Sequence, residues 1–150
     1  MTLQLDQNLE NDCYRLAESP DCLWLLLNNR YFPWLIIVPK THQTELYLLN
    51  EQQQQHLTQQ TNIISEFVKQ HFSCDKLNVA SIGNIVSQMH LHVIARCKDD
   101  PCWPGVVWGT TFKQPYALYE VLAIQTKLQQ FCQHKKINGY DFMPPEIKVT

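Results

Sequence analysis

Two histidines, His90 and His92, stand two residues apart in the run Met89-His90-Leu91-His92-Val93-Ile94-Ala95-Arg96-Cys97. The apolar content of this run predicts a strand, in which side chains at i and i+2 point to one face, so both imidazoles share a surface while their apolar neighbours pack on the other side. Such a pair can bind a phosphate, attack one, or hold a metal with a third ligand, for which Cys97 and His42 are the candidates. Arg96 lies an even number of residues from both histidines, which places a guanidinium on the same face, where it can neutralise a phosphate. Just upstream, Asn84 and Ser87 supply a carboxamide and a hydroxyl within a turn that begins at Gly83. His56, His71 and His134, like His42 outside a metal site, fall in predicted helices or loops and read as solvated or locally capped residues.

The elements that must position these groups follow from periodicity. Residues 22–28 and 34–38 are apolar runs separated by Asn28-Asn29-Arg30 and closed by Pro39-Lys40, which predicts a buried antiparallel hairpin. Asn50 is a suitable N-cap for a long amphipathic helix ending near Phe72, with Leu57, Ile63, Ile64, Phe67 and Val68 at helical spacing. The glutamines among residues 52–60 read as the solvated face of that helix. Lys76–Ile82 and Met89–Cys97 read as two more strands joined through Gly83-Asn84, residues 99–109 as a Pro/Gly loop, and Tyr116–Gln133 as a second amphipathic helix. At the amino terminus, Leu3, Leu5 and Leu9 precede a short helix expected around Glu10–Glu18 and stopped by Ser19-Pro20, which would serve as a lid or packing helix.

With 150 residues, 45% hydrophobic and 17% charged, the chain is expected to fold as one domain spanning 1–150, with a core at about 20–110 and a helical extension at about 111–150. A net charge of −2 and a pI near 6.3 argue against a nucleic-acid polymer as partner, because that grip needs many phosphate-neutralising Lys and Arg; a monomeric nucleotide needs far fewer. No basic leader followed by an apolar run opens the sequence and no stretch approaches the roughly 18 apolar residues of a membrane span, so the expectation is a cytoplasmic protein without a membrane partner. The six cysteines are irregularly spaced, and Cys97 and Cys102 lack the spacing of a zinc or redox pair, so all are expected to be reduced thiols.

Gln88-Met89-His90-Leu91-His92-Val93-Ile94 resembles the histidine-triad motif His-φ-His-φ-His-φ-φ, with Gln in the first place. The resemblance extends to Leu35-Ile36-Ile37-Val38-Pro39-Lys40 followed by His42, which is similar to that family's strand ending in Val-Ile-Pro-Lys-x-His, and to Cys102-Trp103-Pro104-Gly105, which resembles a Trp-Pro-Pro-Gly segment. It covers about residues 20–110 and implies an α+β fold: an antiparallel sheet of about five strands with a long helix on one face, here with a C-terminal helix added. It further implies a nucleotide-binding hydrolase or transferase that cleaves a nucleoside monophosphate from a phosphoanhydride, phosphoester or phosphoramidate, acting as a homodimer and needing no cofactor or metal.

By the same resemblance His90 is the nucleophile that forms a nucleotidyl-histidine, and His92, Asn84 and Ser87 hold the phosphate oxygens. Asn29 falls near the family's acidic ribose contact, although turn chemistry explains an Asn there equally well. Trp103 and Trp108 are expected either to edge the nucleotide pocket or a dimer interface, or to plug the open end of the sheet. Counting back from Pro39 puts Trp34 where the family has a histidine that touches the first motif histidine, so Trp34 and Gln88 are expected to be in contact as a paired departure. Two other readings stay open: a nucleotide-sensing module with negligible turnover, and a metal site built on His90 and His92.

Overall fold

The computed structural model describes residues 2–148. Five strands form one antiparallel sheet: β1 (Cys13–Glu18), β2 (Cys22–Leu27), β3 (Trp34–Pro39), β4 (Lys76–Ala80) and β5 (Leu91–Arg96), in the order β1-β2-β3-β5-β4. The hairpin expected from the two apolar runs is present, with Leu25 opposite Ile36 and Leu26 opposite Leu35. Both strands are almost wholly buried because both faces of the sheet are covered.

One face packs against α2 (Glu51–Phe72) and α3 (Leu118–His134) around Trp24, Leu26, Leu35, Ile37, Val93, Ile64, Phe67 and Leu128. The helix α2 starts where its cap residue predicts: Asn50 Oδ1 accepts from Gln53 N at 2.8 Å, and Gln53 Oε1 accepts from Asn50 N at 2.9 Å, which satisfies two of the free donors of the first turn. One glutamine of the supposedly solvated face is structural. Gln60 Oε1 accepts from Trp24 Nε1 at 3.0 Å, Cys22 Sγ at 3.2 Å and the Tyr140 hydroxyl, tying α2 to the sheet and to the chain after α3.

The amino-terminal segment departs from expectation. The helix α1 spans Gln7–Asp12, and the residues expected to continue it form strand β1 instead. The physical reason is a register shift between Arg15 and Ala17 in the pairing with β2. The extra residue breaks the period-two alternation by which a half-buried strand is recognised, leaving two buried residues followed by one half-buried residue, twice over, which resembles a helical stripe.

The other face of the sheet is covered by α1 and by loops, around Leu9, Cys13, Leu23, Leu25, Phe32, Trp34, Ile36, Val38, Val86, Ile94 and Val107. The strands around the histidines are shorter than expected, and residues 81–90 are an irregular connection in place of a tight turn. Gly83 lets this connection close on itself, because a Cβ there would stand 3.0 Å from the Val86 carbonyl oxygen. All six cysteines are unpaired. Among the described residues, no helix is long and apolar enough to cross a membrane.

Candidate active site

The loop-covered face holds a cavity of about 750 Å³ whose wall includes Trp34 and Ile36 of β3, His90 and His92, Asn84 and Val86 of the irregular connection, and Trp108 of the following loop. His90 and His92 share this face, with ring centroids 4.7 Å apart and planes at 74°. Both are nearly buried, at 5% and 6% exposure.

Each imidazole has one nitrogen fixed by a partner. His90 Nδ1 lies 2.7 Å from the backbone carbonyl oxygen of Gln88. A carbonyl only accepts, so Nδ1 carries the proton and donates it, leaving a lone pair on Nε2. This contact uses the main chain of Gln88 and is independent of its side chain.

His92 is held in the opposite way: Trp34 Nε1 donates to His92 Nδ1 at 2.9 Å, the two rings meeting edge to face. Burial pushes the His92 pKa down to about 4, the adjacent His90 adds to the fall, and the Ile82 carbonyl opposes it. The Ile82 carbonyl stands near the ring, yet His92 Nε2 has no partner of full hydrogen-bond geometry among the described residues. Neither has Trp108 Nε1, whose ring stands 5.3 Å from that of His92.

The remaining expected site residues fall into two groups. Asn84 and Trp34 line the cavity, whereas Ser87 is exposed and outside its lining. Asn29 also lines it, but its carboxamide is consumed locally: Nδ2 donates to Phe112 O at 3.0 Å, and Oδ1 accepts from Tyr31 N at 3.2 Å and Gln114 N at 3.3 Å. Its role is to pin the segment before α3, as turn chemistry allows.

Arg96 is on the predicted face yet does not reach the cavity. Its side chain is buried against Asp100, Asn78, Phe32 and Trp103, which take up the charge expected to meet a phosphate.

Gln88 and Trp34, expected as a contacting pair, share no hydrogen bond. Gln88 Oε1 accepts from Asp6 N at 2.8 Å and its Nε2 donates to Gln4 O at 3.0 Å, while the Trp34 N–H goes to His92. A carboxamide offers both a donor and an acceptor, which suits a strip of main chain better than an indole that can only donate.

The residues sequence reasoning missed come from α1, from the segment before α3 and from the carboxyl-terminal stretch. Asn8, Leu9, Asn11 and Asp12 of α1 and the cationic Lys113 and Lys148 all line the cavity. They carry no motif, and only the fold brings them to β5. The metal reading gains no support, since no three His, Cys, Asp or Glu side chains among the described residues gather as a ligand set.

Comparison with known proteins gives the family of this fold. The HIT domain model matches residues 8–99. A histidine triad (HIT) protein from Sinorhizobium meliloti 1021 is 36% identical, with 86% of this chain and 96% of that chain covered and a TM-score of 0.82. A histidine triad protein from Marinobacter aquaeolei VT8 is 39% identical, with 89% and 98% covered and a TM-score of 0.83. A hypothetical histidine triad nucleotide-binding protein from Sulfolobus tokodaii strain7, 17% identical with 86% and 89% covered and a TM-score of 0.63, shares the fold. The likeness to the first two extends beyond the residues of the HIT domain, into the helical extension. No curated protein matches the chain.

Proposed function

Because the chain belongs to the histidine-triad (HIT) family, we propose that it is a nucleotide-binding hydrolase or transferase in which His90 is the nucleophile. The observation that carries this reading is the Gln88 carbonyl on His90 Nδ1, because it leaves the lone pair of Nε2 as the free nitrogen of a side chain lining the cavity. Nε2 attacks the α-phosphorus of a nucleoside phosphoanhydride, phosphoester or phosphoramidate, and the bond from phosphorus to the leaving group breaks as the leaving group takes up a proton from solvent. Water then attacks the phosphorus of the nucleotidyl-histidine, the P–N bond breaks, and nucleoside monophosphate is released with His90 regenerated. His92 and Asn84 donate hydrogen bonds to the non-bridging oxygens, and no metal enters these steps.

The test is a single turnover with an adenosine phosphoramidate. An acid-labile nucleotidyl adduct mapped to His90 is expected. Binding of the nucleotide without any adduct would replace the catalytic reading by a sensing module, and failure to bind nucleoside monophosphates would overturn both.

We propose that the assembly is a homodimer formed along β4. Among the described residues, that strand pairs only with β5 and leaves its outer edge open, and exposed Val79 lies on it. The opposite edge strand β1 is partly covered, since Glu18 bridges to Asp141. Light scattering is expected to give twice the 17.6 kDa of one chain, and Val79→Lys is expected to shift the species towards monomer.

A further inference from the structure

The partner on one ring nitrogen decides where the proton of a neutral histidine sits, and the partner of His92 is unusual. An indole N–H donates and never accepts, so the nitrogen 2.9 Å from Trp34 Nε1 must bear a lone pair. The one proton of the neutral ring is therefore on Nε2. We propose that Trp34 is a positioning residue that locks His92 as a neutral Nε2–H donor, so that the site offers its nucleotide phosphate an uncharged donor and not an imidazolium.

The surroundings of the ring support this. His92 faces His90 from its own chain segment, Trp34 from β3, Trp108 from the loop after β5, and the Ile82 carbonyl. Among the described residues no carboxylate pairs with it to stabilise a cation, and the charged groups of the cavity wall are Asp12, Lys113 and Lys148. Burial and the neighbouring His90 also disfavour the charged ring. The Trp34 N–H acts in the same direction, because a donor on the lone pair of Nδ1 stabilises the neutral form alone.

What the lock produces is an unmet donor. His92 Nε2–H has no acceptor among the described residues, and Trp108 Nε1–H beside it is in the same condition. A buried donor without a partner is unfavourable until an acceptor reaches it, so two neutral N–H groups wait on side chains of one cavity wall. A phosphate has non-bridging oxygens to satisfy both. The functional role of the lock rests on the nucleotide reading above, but the lock is a property of the ligand-free protein and is measured there.

The experiment is long-range ¹H–¹⁵N correlation spectroscopy of the full chain carrying ¹⁵N-labelled histidine, without nucleotide, from pH 8 to pH 5. In the wild type His92 is expected as one neutral tautomer, protonated on Nε2, with no titration down to pH 5. Trp34→Phe keeps an aromatic ring in place but removes the donor, and is expected to mix the tautomers and to bring the onset of His92 titration into the acid end of this range. A wild-type His92 protonated on Nδ1, or one that titrates between pH 6 and pH 7, would overturn the lock, as would a Trp34→Phe protein whose His92 behaves like the wild type. The wild-type arm decides the question even if the variant fails to fold. Because no nucleotide is present, loss of the lock and loss of the catalytic reading are separately visible.

Discussion

The two ends of β5 present the same face of the sheet and bury polar side chains to the same degree, yet they are built to opposite rules. At one end Arg96 is 1% exposed and fully engaged: Nε donates to Asp100 Oδ2 at 2.7 Å, Nη2 to Asp100 Oδ1 at 3.1 Å and Nη1 to Asn78 Oδ1 at 2.8 Å, with the guanidinium 6.0 Å from the Phe32 ring and 5.8 Å from Trp103. At the other end His92 and Trp108 each keep a buried N–H without an acceptor among the described residues. A buried charge that is closed by its own fold is architecture, whereas buried donors left open beside a cavity mark a place where the missing acceptor belongs to a ligand. Strand alternation puts Arg96 and the histidines on one face, and only partner accounting separates them.

That comparison predicts opposite phenotypes. His90→Ala is expected to lower turnover of a nucleoside phosphoramidate by roughly 10³-fold or more while leaving the thermal unfolding midpoint close to that of the wild type, since a lost nucleophile has no local substitute. Activity within tenfold of the wild type would break the assignment. Arg96→Ala is expected to do the reverse. Removing one partner of a buried ion pair leaves the Asp100 carboxylate uncompensated and costs about 3–5 kcal/mol, read by urea denaturation. If Arg96→Ala folds normally and only nucleotide affinity falls, the two ends of β5 are one site.

A pH titration sharpens the same contrast with a smaller effect. Burial pushes the Asp100 carboxyl up, but hydrogen bonds from Arg96 and from the Cys102 and Cys97 main chain outweigh it and hold the pKa below its usual value. A carboxyl depressed in the folded state contributes stability that is complete above the unfolded pKa and is lost as pH falls through the folded one. Wild-type stability is therefore expected to drop on the acid side of the ordinary carboxylate range, and Asp100→Asn to flatten that part of the curve. An unchanged acid limb in Asp100→Asn would show that the pair contributes little.

What could be read from the sequence was what short-range periodicity controls. The β2–β3 hairpin, α2 with its Asn50 cap, and the common face of His90 and His92 all follow from spacings within a few residues. The carbonyl on His90 Nδ1 belongs to the irregular connection two residues upstream, so that contact carries no side-chain signal at position 88. What failed was partner choice over long separations. Asn29 has the right address on the cavity wall but spends its amide on residues 112–114, and Arg96 finds Asp100 inside a loop that carries no regular pattern. Strand β1 was hidden by a bulge, which erases the alternation that would have announced it. The contribution of α1 to the cavity had no local signal at all, since it depends on how the chain end is fastened.

That fastening gives the smallest of these effects and a direct test of the motif's departure. Gln88 occupies the first motif position, but its side chain holds the amino-terminal segment by Asp6 N and Gln4 O, and Trp34 is engaged elsewhere. Gln88→Ala removes two partly solvated hydrogen bonds and is expected to cost about 1 kcal/mol. The loss should be local: faster hydrogen exchange at the Asp6 amide and in α1, with the His90 contact intact because it uses the Gln88 carbonyl. Since Gln88 and Trp34 share no hydrogen bond, the double variant Gln88→Ala with Trp34→Phe should be additive to within about 0.3 kcal/mol. A coupling above about 0.5 kcal/mol would mean that the two positions act as a pair after all, as they would if they stood in direct contact. Additivity, together with exchange confined to the amino-terminal segment, would establish that the first motif position here serves the wall of the cavity while the other two serve its chemistry.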